Sequence, residues 1–228
     1  MYNKAERTAL LFFSKTAKHE ADGKKLSVSR KQTQAVARVF IQNTQKILRG
    51  VDLPNFHFSE ENQHGDTFGE RLQNAFNDVF EKGFTRVIAV GNDCLNLDKN
   101  HLLQAINQLE TTPSVFGPTT DGGVYLLGFQ KENFESFSLK NIDWQTENVF
   151  SQLTQTVDNQ CFTLEILTDI DNASDLVESL KNIAFQLRNE LLLLFKNCVS
   201  KPFETRLNFT QRHLLFAKSL RAPPYLAF

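Results

Sequence analysis

The chain has 228 residues, with 25 Lys and Arg against 26 Asp and Glu and a formal net charge of -1. That balance lacks the concentrated basic surface that nucleic-acid binding needs. Hydrophobic residues make up 41%, with 21 Phe against 1 Trp and 3 Tyr, enough for one large, Phe-rich α/β core.

The opening MYNKAERTALLFFSK has too short an apolar run, and no small-residue cleavage site, for a signal peptide. It is followed by no stretch near the roughly 18 apolar residues of a membrane span. Cys94, Cys161 and Cys198 lie far apart without a CxxC pair. They fit a reducing compartment better than a disulfide framework or a zinc site, so a soluble cytoplasmic protein is expected.

Thr8–Phe13 (TALLFF) reads as a strand buried on both faces. A polar, Lys-rich loop, HEADGKKLSVSRK, follows, and then Ala35, Val36, Val39, Phe40 and Ile47 keep helical spacing. PNFHFSE at 54–60 is a short second strand. Leu72, Ala75, Phe76, Val79 and Phe80 fall on one stripe of a helix that Gly83 stops after Lys82. Arg86–Val90 is the next strand, and Asp98 caps a helix carrying Leu102, Leu103, Ile106 and Leu109.

SVFGP and VYLLGF are strands separated by TTDGG. A helix around Glu147–Val157, a strand at Phe162–Leu167 and a long helix from about Ala173 complete the pattern. This alternation predicts a three-layer α/β/α sandwich on a mostly parallel sheet, with the loops after strands along one edge. It divides into a main domain over 1–195 and a helical C-terminal extension over 196–228. The extension either packs on the main domain or forms a homodimer contact through its apolar Tyr-Leu-Ala-Phe terminus.

Two acidic turns stand at that edge. Asp93 follows RVIAV directly, where a carboxylate can hold Mg²⁺ or Mn²⁺ and bridge to phosphates. An Asp after Gly-Asn equally forms an Asx turn or caps the next helix. Asp121 precedes Gly122 and Gly123, which can let a ligand approach the backbone closely or can simply form a hairpin turn.

In QHGDTFGERL, Thr67 and Glu70 have capping-box spacing, whereas Gly65, Gly69 and Arg71 could shape a nucleobase or acceptor pocket. Asp169 and Asp171 flank the start of the last helical region, one as a cap and one as a second metal ligand, with Asn172 and Ser174 competing for the cap. Trp144 either stacks on a ligand or joins the core. The sequence holds no His pair at ligand spacing, GxSxG elbow, P-loop or GxGxxG.

Taken in order, the LLFF strand, QHGDTFGERL, VIAVGNDCLNL, GPTTDGGVYLLGF, DWQTENVF and TDIDNASDL resemble an uncharacterised bacterial family of glycosyltransferase-A-like proteins. That family is labelled radical-SAM/selenodomain-associated transferase 1, or a domain of unknown function. The resemblance spans roughly residues 8–180 and implies the nucleotide-diphosphosugar transferase fold. It implies Asp93 and Asp171 as metal ligands for Mg²⁺ or Mn²⁺ and Asp121 as the acid of the DGG element.

Gly122, Gly123, Gly65, Arg71 and Lys15 are the expected nucleotide-binding positions. The partners expected are a nucleotide-sugar or a nucleoside triphosphate, plus an acceptor. Typical members carry a proline- and glycine-containing basic loop ending Lys-Thr-Arg-Leu. Here SKTAKHEADGKKLS lacks the proline and the Arg, leaving Lys15, Lys18, Lys24 and Lys25 to meet a phosphate. Three activities follow as expectations: a metal-dependent glycosyltransferase-like enzyme, a nucleotidyltransferase releasing pyrophosphate, or a non-catalytic binding protein on the same fold.

Overall fold

The computed structural model describes residues 8–158 and 160–198. Six strands form one sheet in the order β2-β1-β3-β5-β4-β6. They are β1 (Thr8–Phe13), β2 (Asn55–Phe58), β3 (Arg86–Val90), β4 (Ser114–Pro118), β5 (Val124–Gln130) and β6 (Cys161–Thr163). β1 runs parallel to β2 and β3, and β4 runs parallel to β6. β5 is inserted between β3 and β4 and is antiparallel to both. The C-terminal ends of the five parallel strands and the start of β5 therefore share one edge.

Alternation along β1 sorts its side chains between two cores. Ala9 and Leu11 join a cluster with Phe76, Phe129 and Phe134 on one face. Leu10 and Phe12 join Leu48, Ile88 and Leu102 on the other. Helix α2 (Arg30–Arg49) and helix α4 (Lys99–Gln108) cover the second face, and α3 (Phe68–Phe80) covers the first. The three-layer α/β/α sandwich follows from that two-period burial.

Local signals place the helix starts. Thr67 accepts from Glu70 N and Glu70 returns a bond to Thr67 N, closing a capping box on α3. Asp98 caps α4 through Asn100 N and His101 N.

Three expectations need correction. The polar stretch after β1 is not all loop: it holds helix α1 (Ala17–Gly23), which buries Glu20 and Ala21. The strand expected at 162–167 is shorter, β6 ending at Thr163, with Leu167 rejoining the sheet by an isolated bridge to Thr119. The long helix from Ala173 is two helices, α7 (Ala173–Ser179) and α8 (Phe185–Cys198). Between them the backbone turns to bury Ile183, and Arg188 donates to the Lys181 carbonyl. Two short helices, α5 (Lys131–Phe134) and α6 (Val149–Thr156), and a 3-10 turn at Leu139–Asn141 complete the described helical elements. The tail beyond residue 198, with the packing or homodimer contact expected of it, lies outside the described residues. Among the described residues no helix is long and apolar enough to cross a membrane.

Candidate active site

Four segments meet at the C-terminal edge of the parallel strands: the end of α1, the turn after β3, the β4–β5 turn and the loop from β6 to α7. Open α/β sheets bind ligands at such an edge. Main-chain bonds set each segment in place. Ile170 N donates to Asp93 O at 3.1 Å, Thr120 N donates to Leu167 O at 3.0 Å, and Lys25 bridges Asn172.

Asn172 caps α7 in a capping box with Asp175. The cap position is thus filled, and Asp169 and Asp171 are left for the edge. The oxygens that Asp121, Asp169 and Asp171 present there lie within 4.8 Å of one another. Burial, then the charge of Asp121, pushes the Asp169 carboxyl up to about 6, with Asp171 adding to the rise.

Asp93 and Asp171, expected as ligands of one metal ion, are joined by the ammonium of Lys24. Its Nζ lies 2.8 Å from Asp93 Oδ1 and 3.0 Å from Asp171 Oδ1, and donates to Ile170 O at 3.0 Å. Asp93 Oδ1 is sealed from solvent and receives no hydrogen bond of good geometry, so the Lys24 charge is its compensation. Burial alone would lower the Lys24 pKa; the charges of Asp93 and Asp171 reverse that and hold it above its ordinary value. Glu20, one helical turn earlier, is buried beside them. Burial, then Asp93, raises its pKa, and Lys24 and Lys15 offset part of the rise.

Sequence reasoning left Glu20 out and gave Lys24 no more weight than its neighbours. The available signal was an acid followed four residues later by a base, with Gly23 between them where a short helix can end.

The remaining candidates sit as follows. Asp121 Oδ1 accepts from Thr119 Oγ1 and, at 3.0 Å, from Gly123 N, so the acid closes its own turn. The hairpin reading of this turn holds, since β4 and β5 pair on either side of it. Gly122 has φ +89, and a Cβ there would meet Glu147 O at 2.1 Å. At Gly123 a Cβ would meet Thr119 Oγ1 at 2.8 Å.

Gly65 has φ +125 and packs against Glu70, while Arg71 Nη1 donates to Asp66 O at 3.0 Å. Lys15 is exposed at the end of β1. Next to it, Thr16 donates through its amide to Glu60 at 2.6 Å and also bonds it through its hydroxyl, tying the front segment to the turn after β2. Trp144 is a core residue: its Nε1 donates to Leu139 O at 2.7 Å, and its ring lies 4.9 Å from Phe68. Cys94 is buried, which pushes its thiol well up and makes it a poor nucleophile.

A groove of about 430 Å³ runs past Lys46, Asn96, Lys99 and Asn182. None of the four carboxylates lines it, so it is separate from the acidic edge.

Mg²⁺ and Mn²⁺ take oxygen ligands, and at about 2.1 Å from Mg²⁺ two such oxygens lie at most about 4.2 Å apart. Asp121, Asp169 and Asp171 fit such an ion with little inward movement. Asp93 and Asp171 hold the Lys24 ammonium between them.

The fold agrees with solved structures. A candidate nucleotide-diphospho-sugar transferase from Desulfovibrio desulfuricans G20 superposes with a TM-score of 0.70 at 22% identity, over 85% of this chain and 96% of that one. At that identity the likeness establishes the glycosyltransferase-A-like, nucleotide-diphosphosugar transferase fold and not the chemistry. Rv0371c from Mycobacterium tuberculosis H37Rv aligns at TM-score 0.49 and 12% identity, over 79% of this chain and 100% of that one. A cytidylyltransferase from Leptospira borgpetersenii aligns at 0.43 and 12%, over 88% and 98%. These two likenesses are too distant to support more. No curated protein matches the sequence. One family does, over residues 28–146, more than half of the chain. The chain therefore belongs to DUF2064, the family of uncharacterized proteins conserved in bacteria.

Proposed function

We propose that this protein is a metal-dependent transferase that uses a nucleotide-activated donor, in the manner of a glycosyltransferase. The observation that carries the reading is the convergence of Asp93, Asp121, Asp169 and Asp171 at the ligand edge of a transferase fold. Asp171, with Asp121 and Asp169, would hold Mg²⁺ or Mn²⁺. A bound ion of that kind neutralises the charge of a diphosphate.

The chain's own groups do the rest. Asp121, held by Thr119 and Gly123, presents a carboxylate that orients the ligand or exchanges a proton with it. Lys15 and Arg71 supply positive charge toward the phosphates, and Gly65, Gly122 and Gly123 shape the backbone around the donor.

Thermal unfolding with UDP-sugars, GDP-sugars and nucleoside triphosphates, each with Mn²⁺, tests this. At least one donor should raise the midpoint, and Asp171→Ala should remove the rise. Release of a nucleoside diphosphate identifies the glycosyltransferase-like reaction, whereas pyrophosphate release identifies a nucleotidyltransferase. No rise across the panel would leave a binding protein on a transferase fold and would overturn the proposal.

A further inference from the structure

We propose that Lys24 is a resident cation that permanently occupies the position between Asp93 and Asp171, so that Asp93 ligates no metal and Lys24 contacts no phosphate. The inference builds on the reading of this edge as a cation site, but its test needs no nucleotide.

Charge balance comes first. Three oxygens of the chain surround Lys24 Nζ: Asp93 Oδ1 at 2.8 Å and Asp171 Oδ1 at 3.0 Å as ion-pair partners, and Ile170 O at 3.0 Å as its hydrogen-bond acceptor. An incoming phosphate would meet an ammonium whose charge two carboxylates already balance. The Lys24 side chain is 16% exposed, against 37% for Asp93 and 61% for Asp171, so the ammonium lies beneath the acids it joins.

Anchoring comes second. Lys24 N donates to Glu20 O, closing α1, and the next residue bridges Asn172. Asp93 O in turn accepts from Ile170 N. These bonds place the backbone that carries Lys24 and Asp93, and the residues on either side of Asp171.

Competition comes third. Asp93 Oδ1, the oxygen that faces Lys24, has no solvent access, so a divalent ion could reach that oxygen only by expelling Lys24. Expulsion would break both ion pairs of Lys24 and its bond to the Ile170 carbonyl, a costly change for a largely buried charge. Asp171 differs, because it presents an oxygen to Asp121 and Asp169 as well. It is the hinge between the resident cation and the exchangeable one.

Mn²⁺ binding followed by electron paramagnetic resonance and calorimetry, with no nucleotide present, tests this on the intact protein. Asp93→Asn in an otherwise unchanged chain should leave Mn²⁺ affinity as it is. Lys24→Met should bind Mn²⁺ roughly tenfold tighter, because one more carboxylate becomes available to the ion. Adding Asp93→Asn to Lys24→Met should remove that gain.

Lys24→Gln serves as a second probe, with circular dichroism confirming the fold of each variant. A loss of Mn²⁺ affinity in Asp93→Asn alone would overturn the inference, whether or not the Lys24 variants fold. So would folded Lys24 variants that bind no tighter than the unchanged protein. A failed nucleotide panel beside a successful Mn²⁺ series would sink the proposed function and leave this inference standing.

Discussion

At Asp169 the carboxyl is held at about 6, first because burial strips it of water and then because Asp121 stands beside it. Its folded pKa therefore lies above the ordinary 3.8 of an unfolded Asp. Below about pH 4 both states carry the proton, and the residue is neutral in stability. As pH rises toward 6 the unfolded state releases its proton first, so the folded state loses ground and stays penalised above 6. Asp169→Asn should match the unchanged protein at the acid end and gain on the order of 1 kcal/mol near neutrality, allowing for screening at this half-exposed group. Chemical denaturation of both proteins across that range measures it, and a constant offset at all pH values would contradict the cause given. Lys24 does not confuse the readout. Its raised pKa gives stability that is fully present below its ordinary 10.5 and is lost only as pH climbs through the folded value.

The β4–β5 turn shows how an element can serve packing and site together. Gly122 takes φ +89 so that the Glu147 backbone can lie against it, and Phe150 N donates to Gly122 O at 2.9 Å. That contact anchors the start of α6 against the turn that carries Asp121. Gly122→Ala adds a Cβ where Glu147 O already is, at a backbone angle that disfavours side chains. It should cost on the order of 3 kcal/mol, read by denaturant unfolding. A neutral outcome would mean that the Glu147 segment yields, and the anchoring of this turn by α6 would go with it. Sequence alone showed this turn as a hairpin signal, and it is one. What it did not show is that the turn leans on residue 147, because that pairing is long-range and leaves no periodic trace. The same limit hid α1. A seven-residue helix with one buried Ala and one buried Glu has no apolar stripe to see. Its Lys24 gained meaning only when the β6–α7 loop came to rest against it.

Across the whole molecule, stability and site chemistry lie in different places. The strands and the α3 stripe were legible because continuous or evenly spaced apolar residues must be buried, whatever the topology. The antiparallel insertion of β5 was less so, since a buried strand has the same composition in either direction. Its effect is to bring the β4–β5 turn to the edge where β1, β3 and β6 end. Behind that edge, Phe129 of β5 is buried among Phe76, Phe116, Phe134 and Phe137, with ring centroids 5.0 to 5.5 Å away. Phe129→Ala should therefore cost about 3–5 kcal/mol through lost burial and an unfilled cavity, and Phe129→Leu distinctly less. If the core only supports the edge, the folded fraction of Phe129→Leu should bind Mn²⁺ as tightly as the unchanged protein. Titration at a temperature well below its unfolding midpoint measures this. Weakened binding there would show that the core tunes the carboxylates as well as carrying them.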